Sequence, residues 1–286
     1  MPTIEIDGIN IAYELHGKEG DPAIALTPGG RFNKESPGLP ELADALAAGG
    51  RRVLRWDRPN CGASDICFDA ESESELHGRT LTKLIRALDL GPTTLAAGSA
   101  GSRVSLIAAS RDPEIVSKLA VWWISGGTLG LISLAYYYCC DYGIAASHAG
   151  MEAVAAMPGF AEQIERNPRN RDIILAQDPQ KFIETMERWA TFYLPREDSP
   201  VPGMSPEDFT KLTMPVRIYR NGVSDLSHPR ATSDWVQKLI PHSEYVEAPW
   251  ADTEWNDRCA AQLKDGSPLF INWVKLAPSL LEFTAG

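Results

Sequence analysis

Short apolar runs alternate with helical segments along most of this chain, and that alternation limits the folds open to it more than any single motif does. Residues 3–6 and 9–15, parted by Asp7-Gly8, read as an antiparallel hairpin. Residues 23–26, 52–56, 93–97, 118–125, 216–219 and 245–247 read as further short strands, most of them continuously apolar. Helices are expected over residues 39–48, 74–90, 103–109 and 230–240. Parallel neighbours in a sheet need a crossover, so this order implies βαβ units and a mostly parallel sheet flanked by helices. Over residues 126–211 the alternation stops. Patterns such as Phe160-Ala161-Glu162-Gln163-Ile164 are helical, and a Pro-rich stretch over 195–206 reads as a linker back to the main body. The expected organisation is a core of residues 1–125 and 212–286 with a helical cap of residues 126–211. Such an insertion would lie over the carboxyl edge of the strands, where open α/β sheets bind ligands.

Composition narrows the partners. The net charge of -11 disfavours nucleic acid and anionic membrane surfaces, which call for a basic patch. No apolar run reaches the ~18 residues of a membrane span, and the start Met-Pro-Thr-Ile-Glu-Ile-Asp-Gly lacks the features of a signal peptide. A cytoplasmic protein acting on a small molecule is expected, with no membrane partner; a homodimer is left open. Five cysteines in no metal-ligand spacing read as free thiols, with Cys139-Cys140 as two small apolar residues. Neither a metal nor an organic cofactor is expected. Gly98 and Gly101 follow a strand but lack the full glycine spacing of a dinucleotide fingerprint.

The stretch Leu95-Ala96-Ala97-Gly98-Ser99-Ala100-Gly101-Ser102 carries the chemistry. An apolar strand stops at a serine among small residues and a helix follows at once. A serine on so sharp a turn takes a strained backbone that only small neighbours accommodate, and its hydroxyl is held above the sheet edge. The usual pattern is Gly-x-Ser-x-Gly; Ala97 replaces the first glycine and is still small.

On these features the chain resembles the α/β-hydrolase superfamily, in the branch with a helical cap between the sixth and seventh of eight strands. The resemblance rests on the turn at Ser99, on Pro28-Gly29-Gly30 after the third strand, and on Asp57-Arg58-Pro59-Asn60-Cys61-Gly62-Ala63-Ser64 after the fourth. That last stretch is similar to an Asp-x-x-Gly-x-Gly-x-Ser turn, with Asn60 for a glycine. It rests also on Gly222-Val223-Ser224-Asp225 after the seventh strand. The resemblance implies Ser99 as nucleophile, Asp225 as the triad acid, and an oxyanion hole from the backbone N–H groups of Ala100 and of Gly30 or Arg31.

The base breaks the pattern. Family members usually carry a histidine just after the eighth strand, and here residues 247–255 read Glu-Ala-Pro-Trp-Ala-Asp-Thr-Glu-Trp. His16 and His77 are expected at the surface and His242 in a solvated turn, while His148 in the cap could face the pocket. His228, three residues after Asp225, stands at the active-site edge and ranks first as base. Asp252 or Glu254 ranks next, as a carboxylate raised by burial, and the absence of any base last. Three readings remain open: a serine hydrolase acting on an ester, a lactone or a carbon–carbon bond next to a carbonyl; a lyase or cofactor-free oxygenase; or a binding protein without catalysis. Trp123 and Tyr137 are candidate contacts for a hydrophobic or aromatic substrate. Arg31 is a candidate for a substrate carboxylate, against the simpler reading of a surface arginine.

Overall fold

Asp7 and Gly8 both take positive φ (52° and 80°), the geometry that matches a two-residue hairpin to the twist of its strands. They join β1 (Thr3–Ile6) to β2 (Ile9–His16), which pair antiparallel. The computed structural model describes residues 2–223 and 225–285. β2 runs antiparallel to β4 (Arg52–Trp56). From there β3 (Ala23–Thr27), β5 (Thr93–Gly98), β6 (Val116–Trp122), β7 (Val216–Tyr219) and β8 (Glu244–Val246) complete a sheet of order β1-β2-β4-β3-β5-β6-β7-β8. Every pairing beyond β2 is parallel.

The apolar runs serve both faces in turn, since successive strand residues point to opposite sides. Ala25, Leu95, Leu119 and Val121 join one core, with Leu81 and Leu84 of α2 (Glu73–Ala87) and Leu106 and Ile107 of α3 (Ala100–Arg111). Ile24, Leu26, Ala96, Ala120 and Trp122 join the other, with Leu42 and Leu46 of α1 (Leu39–Ala48) and Leu280 near the C-terminus. Several boundaries differ from the sequence reading by a few residues, two of them for a local reason. Ser72 caps α2 by accepting the Glu75 N–H, so the helix begins at Glu73. β6 ends at Trp122 because Trp123 takes φ 48°, which turns the chain out of the sheet.

Between β6 and β7 the chain forms α4 (Thr128–Ala135), a π-helical turn at Tyr136–Cys140, α5 (Asp141–Ala156), α6 (Pro158–Arg166), α7 (Arg169–Leu175) and α8 (Pro179–Thr191). These helices share a core of their own. Phe160, Phe182 and Trp189 pack around Phe68, which comes from the loop after β4, and Ala100 of the serine turn belongs to the same cluster. The insertion therefore rests on the turn that holds Ser99. The expected linker over 195–206 gives way at its end to α9 (Pro206–Thr210), closed by a Ser205–Asp208 capping box. After β7 come α10 (Arg230–Leu239), α11 (Glu254–Asp265) and α12 (Ala277–Phe283).

His77, expected at the surface, is instead buried in α2 with its Nε2 at 2.7 Å from the Pro59 carbonyl. That contact puts a proton on Nε2, which donates to the carbonyl. Burial, against the attraction of Glu73, pushes its pKa down to about 3. The unfolded chain takes up a proton near pH 6.5 that the folded chain refuses until about pH 3. Stability is therefore lost as pH falls through that window. His77→Gln, which keeps a donor but cannot titrate, should flatten this limb of a urea-melt series between pH 6.5 and 4. An unchanged slope would remove His77 as its cause.

Candidate active site

Ser99 takes φ 56° and ψ -126°, strained for any side-chain-bearing residue, and precedes the first residue of α3. Close packing enforces the turn. A Cβ on Gly98 would lie 2.2 Å from Trp122 Nε1, and one on Gly101 would lie 2.2 Å from the Thr27 carbonyl oxygen. Ala97 carries its methyl without exposure, so the replacement of the usual glycine costs nothing here. Ser99 N–H donates to the Trp122 carbonyl, and Ser102 Oγ donates to the carbonyls of Ala97 and Trp122. The serine is thereby fixed to the ends of both β5 and β6.

The loop after β7 brings the other two side chains. Asn221 holds it to the β6 side, donating from Nδ2 to the carbonyls of Ile124 and Pro229 and accepting the Ile124 N–H. Pro229 disfavours helical backbone at His228, so α10 starts only at Arg230 and the imidazole stays in the loop. Asp225 Oδ1 accepts the backbone N–H groups of Ser227 and His228, each at 2.9 Å, and its Oδ2 lies 2.7 Å from His228 Nδ1. His228 Nε2 lies 2.9 Å from Ser99 Oγ. With the proton on Nδ1 facing the carboxylate, Nε2 accepts from the serine hydroxyl. His228 is 1% exposed and Asp225 4%, while Ser99 keeps partial access. Trp123 stacks on the imidazole at 5.9 Å and Trp255 meets it edge-on at 4.6 Å.

The remaining candidates sort themselves around this chain of contacts. Asp252 is exposed and pairs with Arg230. Glu254 is buried away from Ser99, accepting from Asn272 and facing Arg258. Neither carboxylate touches the serine, which corrects their standing as alternative bases. His148 lies exposed on α5, His242 is exposed beside the Met214 carbonyl, and His16 is half-buried against Arg55. Trp123 is only 3% exposed and packs against His228 among Trp250, Trp255 and Trp273, so its ring is enclosed by aromatic neighbours rather than open at the surface. Tyr137 stands about half exposed on the π-helical turn.

Ala100 opens α3, so its N–H has no intrahelical acceptor and lies at the positive end of the helix dipole. Gly30, with φ 47°, shapes the facing turn. Sequence reasoning missed what holds that turn. Arg58, buried in the motif after β4, donates from one nitrogen to the carbonyls of Gly29, Gly30 and Phe32 at 3.1, 2.7 and 3.2 Å. Three carbonyls gathered on one guanidinium fix which way the turn's peptides face. Asn60, where a glycine was expected, takes φ 63°, a conformation asparagine tolerates better than most residues. Its side chain bridges Cys67 and Glu73.

Arg31 is not a surface arginine. Its guanidinium donates to Glu73 at 2.7 Å and to the Asn60 and Tyr138 carbonyls, with Tyr138, Tyr142 and Phe160 rings 5.2–5.6 Å away. Burial pushes the Glu73 carboxyl up, but the Arg31 guanidinium and the hydrogen bonds from Arg31 and Asn60 bring it below the usual range. No group of three metal-ligating side chains occurs among the described residues, and no helix there is long and apolar enough to cross a membrane.

Gly29 packs directly on the serine: a Cβ there would lie 2.6 Å from Ser99 Cβ and 3.0 Å from its Oγ. Gly29→Ala should displace the hydroxyl by a fraction of an ångström to an ångström, and a misplacement of that size costs about 100-fold in kcat. Turnover of an activated ester, with the melting curve as control for folding, checks this. Equal rates would show that the serine has room to spare.

No family model matches the chain. An 87-residue segment is 37% identical to a 2-hydroxy-6-oxononadienedioate/2-hydroxy-6-oxononatrienedioate hydrolase of Cupriavidus pinatubonensis, covering 30% of this chain and 29% of that relative. The match thus spans less than a third of the relative's length. Among solved structures, the enol-lactonase from Burkholderia xenovorans LB400 superposes with a TM-score of 0.63 at 17% identity, over 100% of both chains. The meta-cleavage product hydrolase from Pseudomonas fluorescens IP01 does so with a TM-score of 0.61 at 17% identity, over 100% of this chain and 97% of the other. The chain has the α/β-hydrolase fold.

Proposed function

We propose that this chain is a serine hydrolase cleaving an ester, a lactone or a carbon–carbon bond next to a carbonyl, in a small hydrophobic or aromatic substrate. The observation that carries the reading is the continuous Ser99–His228–Asp225 hydrogen-bond chain, at 2.9 and 2.7 Å. In the proposed mechanism Ser99 Oγ attacks the carbonyl carbon while His228 Nε2 takes its proton. The carbonyl oxygen becomes an oxyanion received by the N–H groups of Ala100 and Gly30. His228 then gives the proton to the leaving group, and a water activated in the same way releases the acyl group. Asp225 holds the imidazole in the required tautomer throughout. The short Ser99–His228 contact favours this reading over a lyase, an oxygenase or a non-catalytic binding protein, because each of those would use the serine only to bind. The names of the partial relative and of the structural neighbours, a carbon–carbon hydrolase and an enol-lactonase among them, agree with it.

Residues 126–211 act in this proposal as a lid, since their helices pack over Ala100 and carry Tyr137 and Tyr138 toward Arg31. The test is labelling of the intact protein by a fluorophosphonate probe across pH. Labelling should rise as the base loses its proton, and that rise should vanish in His228→Ala. A serine that never labels would overturn the proposal.

A further inference from the structure

The loop that carries both Asp225 and His228 rests on the start of α4, the first helix after β6. Gly126 donates its N–H to the Ser227 carbonyl at 3.1 Å. A Cβ on Gly126 would lie 2.2 Å from Thr232 Oγ1, and one on Gly127 would lie 2.7 Å from Pro229 Cγ. Gly130, in the first turn of α4, meets the loop itself. A Cβ there would lie 2.9 Å from the Leu226 carbonyl oxygen and 3.3 Å from Ser227 Cα. Those are backbone atoms, so no change of rotamer relieves the contact. Val223 and Leu226 of the same loop are exposed at 61% and 60%, so this stretch leans on α4 rather than being enclosed. Asp225 Oδ1 binds the loop into a unit by accepting the Ser227 and His228 N–H groups. A shift of Leu226 and Ser227 therefore carries the imidazole with it, while Ser99 stays fixed at the ends of β5 and β6.

We propose that Gly130 is a positioning residue: by seating Leu226 and Ser227 on α4, it sets the reach of His228 Nε2 to Ser99 Oγ. The inference rests on the hydrolase reading for the roles of Ser99 and His228. With a histidine after β8, the base would ride on a different loop from the acid. Here acid and base share one loop, so one seat serves both, and that seat belongs to the insertion between β6 and β7. α4 runs on into the π-helical turn and α5. The Tyr138 carbonyl in that turn accepts from Arg31, next to the oxyanion turn. The inserted helices thus touch the proton relay at one end of this stretch and the oxyanion side at the other.

The test compares Gly130→Ala with Gly143→Ala, a glycine of α5 where a Cβ would lie 3.5 Å from Met186 Cβ, an ordinary contact. The first readout is 15N NMR of the His228 imidazole, assigned by its loss in His228→Ala. Ser99→Ala removes the hydroxyl that Nε2 accepts from and so marks the Nε2 shift without that bond. Gly130→Ala should move the shift toward that mark, and Gly143→Ala should leave it in place. The second readout is the rate of labelling by a small dialkyl fluorophosphate. It should fall about 10-fold or more in Gly130→Ala, as a displacement of a fraction of an ångström demands, and hold in Gly143→Ala. With p-nitrophenyl acetate the loss should fall on kcat, with little change in KM. A raised KM with labelling and Nε2 shift unchanged would make α4 a wall around substrate and overturn the proposal. Gly126→Ala guards against a Gly130→Ala protein that does not fold, because its clash is with a side chain. Its loss of labelling should be restored in part by adding Thr232→Ala, which removes Oγ1 and Cγ2, and no restoration would count against the seat. If the unaltered protein never labels, the hydrolase reading falls, and the Nε2 shift still decides whether Gly130 sets the imidazole.

Discussion

Under the proposed mechanism, Ser99→Ala should abolish fluorophosphonate labelling and lower kcat toward an activated ester by about 10⁶-fold, with the fold intact. The size follows from how such triads behave: removing the nucleophile costs about as much as removing the whole set, because the serine and its histidine act as a unit. What survives is the oxyanion hole and binding, worth roughly 10³–10⁴ over water. The substitution removes one oxygen from a turn held by close packing at Gly29, Gly98 and Gly101, and the backbone strain at residue 99 stays the same in alanine, so the melting temperature should change little. Labelling that persists would place the nucleophile elsewhere and end the Ser99 proposal.

His228→Ala should give a second loss of similar size, about 10⁶-fold in kcat, and adding it to Ser99→Ala should cost nothing more. Asp225→Asn is the sharper experiment. Oδ1 of Asp225 accepts two backbone N–H groups, from Ser227 and His228, so an asparagine would keep its carbonyl oxygen there. Its NH2 would then face His228 Nδ1, which must become the acceptor, and the ring proton moves to Nε2. An imidazole carrying its proton on Nε2 cannot take one from Ser99. The expected cost is about 10⁴-fold in kcat with little change in KM. If Asp225→Asn and His228→Ala leave the rate at neutral pH unchanged, another base serves Ser99. Asp252 and Glu254, engaged with Arg230 and Asn272, do not reach it.

The parts of the fold read most directly from the chain were those set by local rules. The hairpin at Asp7-Gly8, the alternating apolar strands and the break at residue 126 all follow from periodicity and turn chemistry within a few residues. Helix ends shifted where a side-chain cap intervened, as at Ser72, and β6 shortened where Trp123 left the sheet. The surface reading of His77 failed because its position in α2 says nothing of what packs on that face. Arg31 failed likewise: only the approach of Glu73, 42 residues on, and of the Tyr138 turn makes it a buried strut. The burial of Trp123, a candidate substrate contact, could not be read for the same reason, since the indoles and imidazole around it come from three separate segments.

Ser99 itself was determined by sequence alone, because a strained turn demands small residues within a few positions and those residues are written next to it. Asp225 followed from its place after β7. The missing histidine after β8 was equally plain. Which side chain stands beside Ser99 instead was a matter of tertiary structure. His228 could be named from sequence as a loop residue near the right edge, on equal terms with a helix-start residue ahead of Pro229. Its claim depends on a distance of 2.9 Å across 129 residues of chain, set by Asn221, Trp123 and Trp255 and by the carboxylate three residues before it. Local sequence fixes backbone conformation; which side chains meet is decided by packing between segments far apart in the chain.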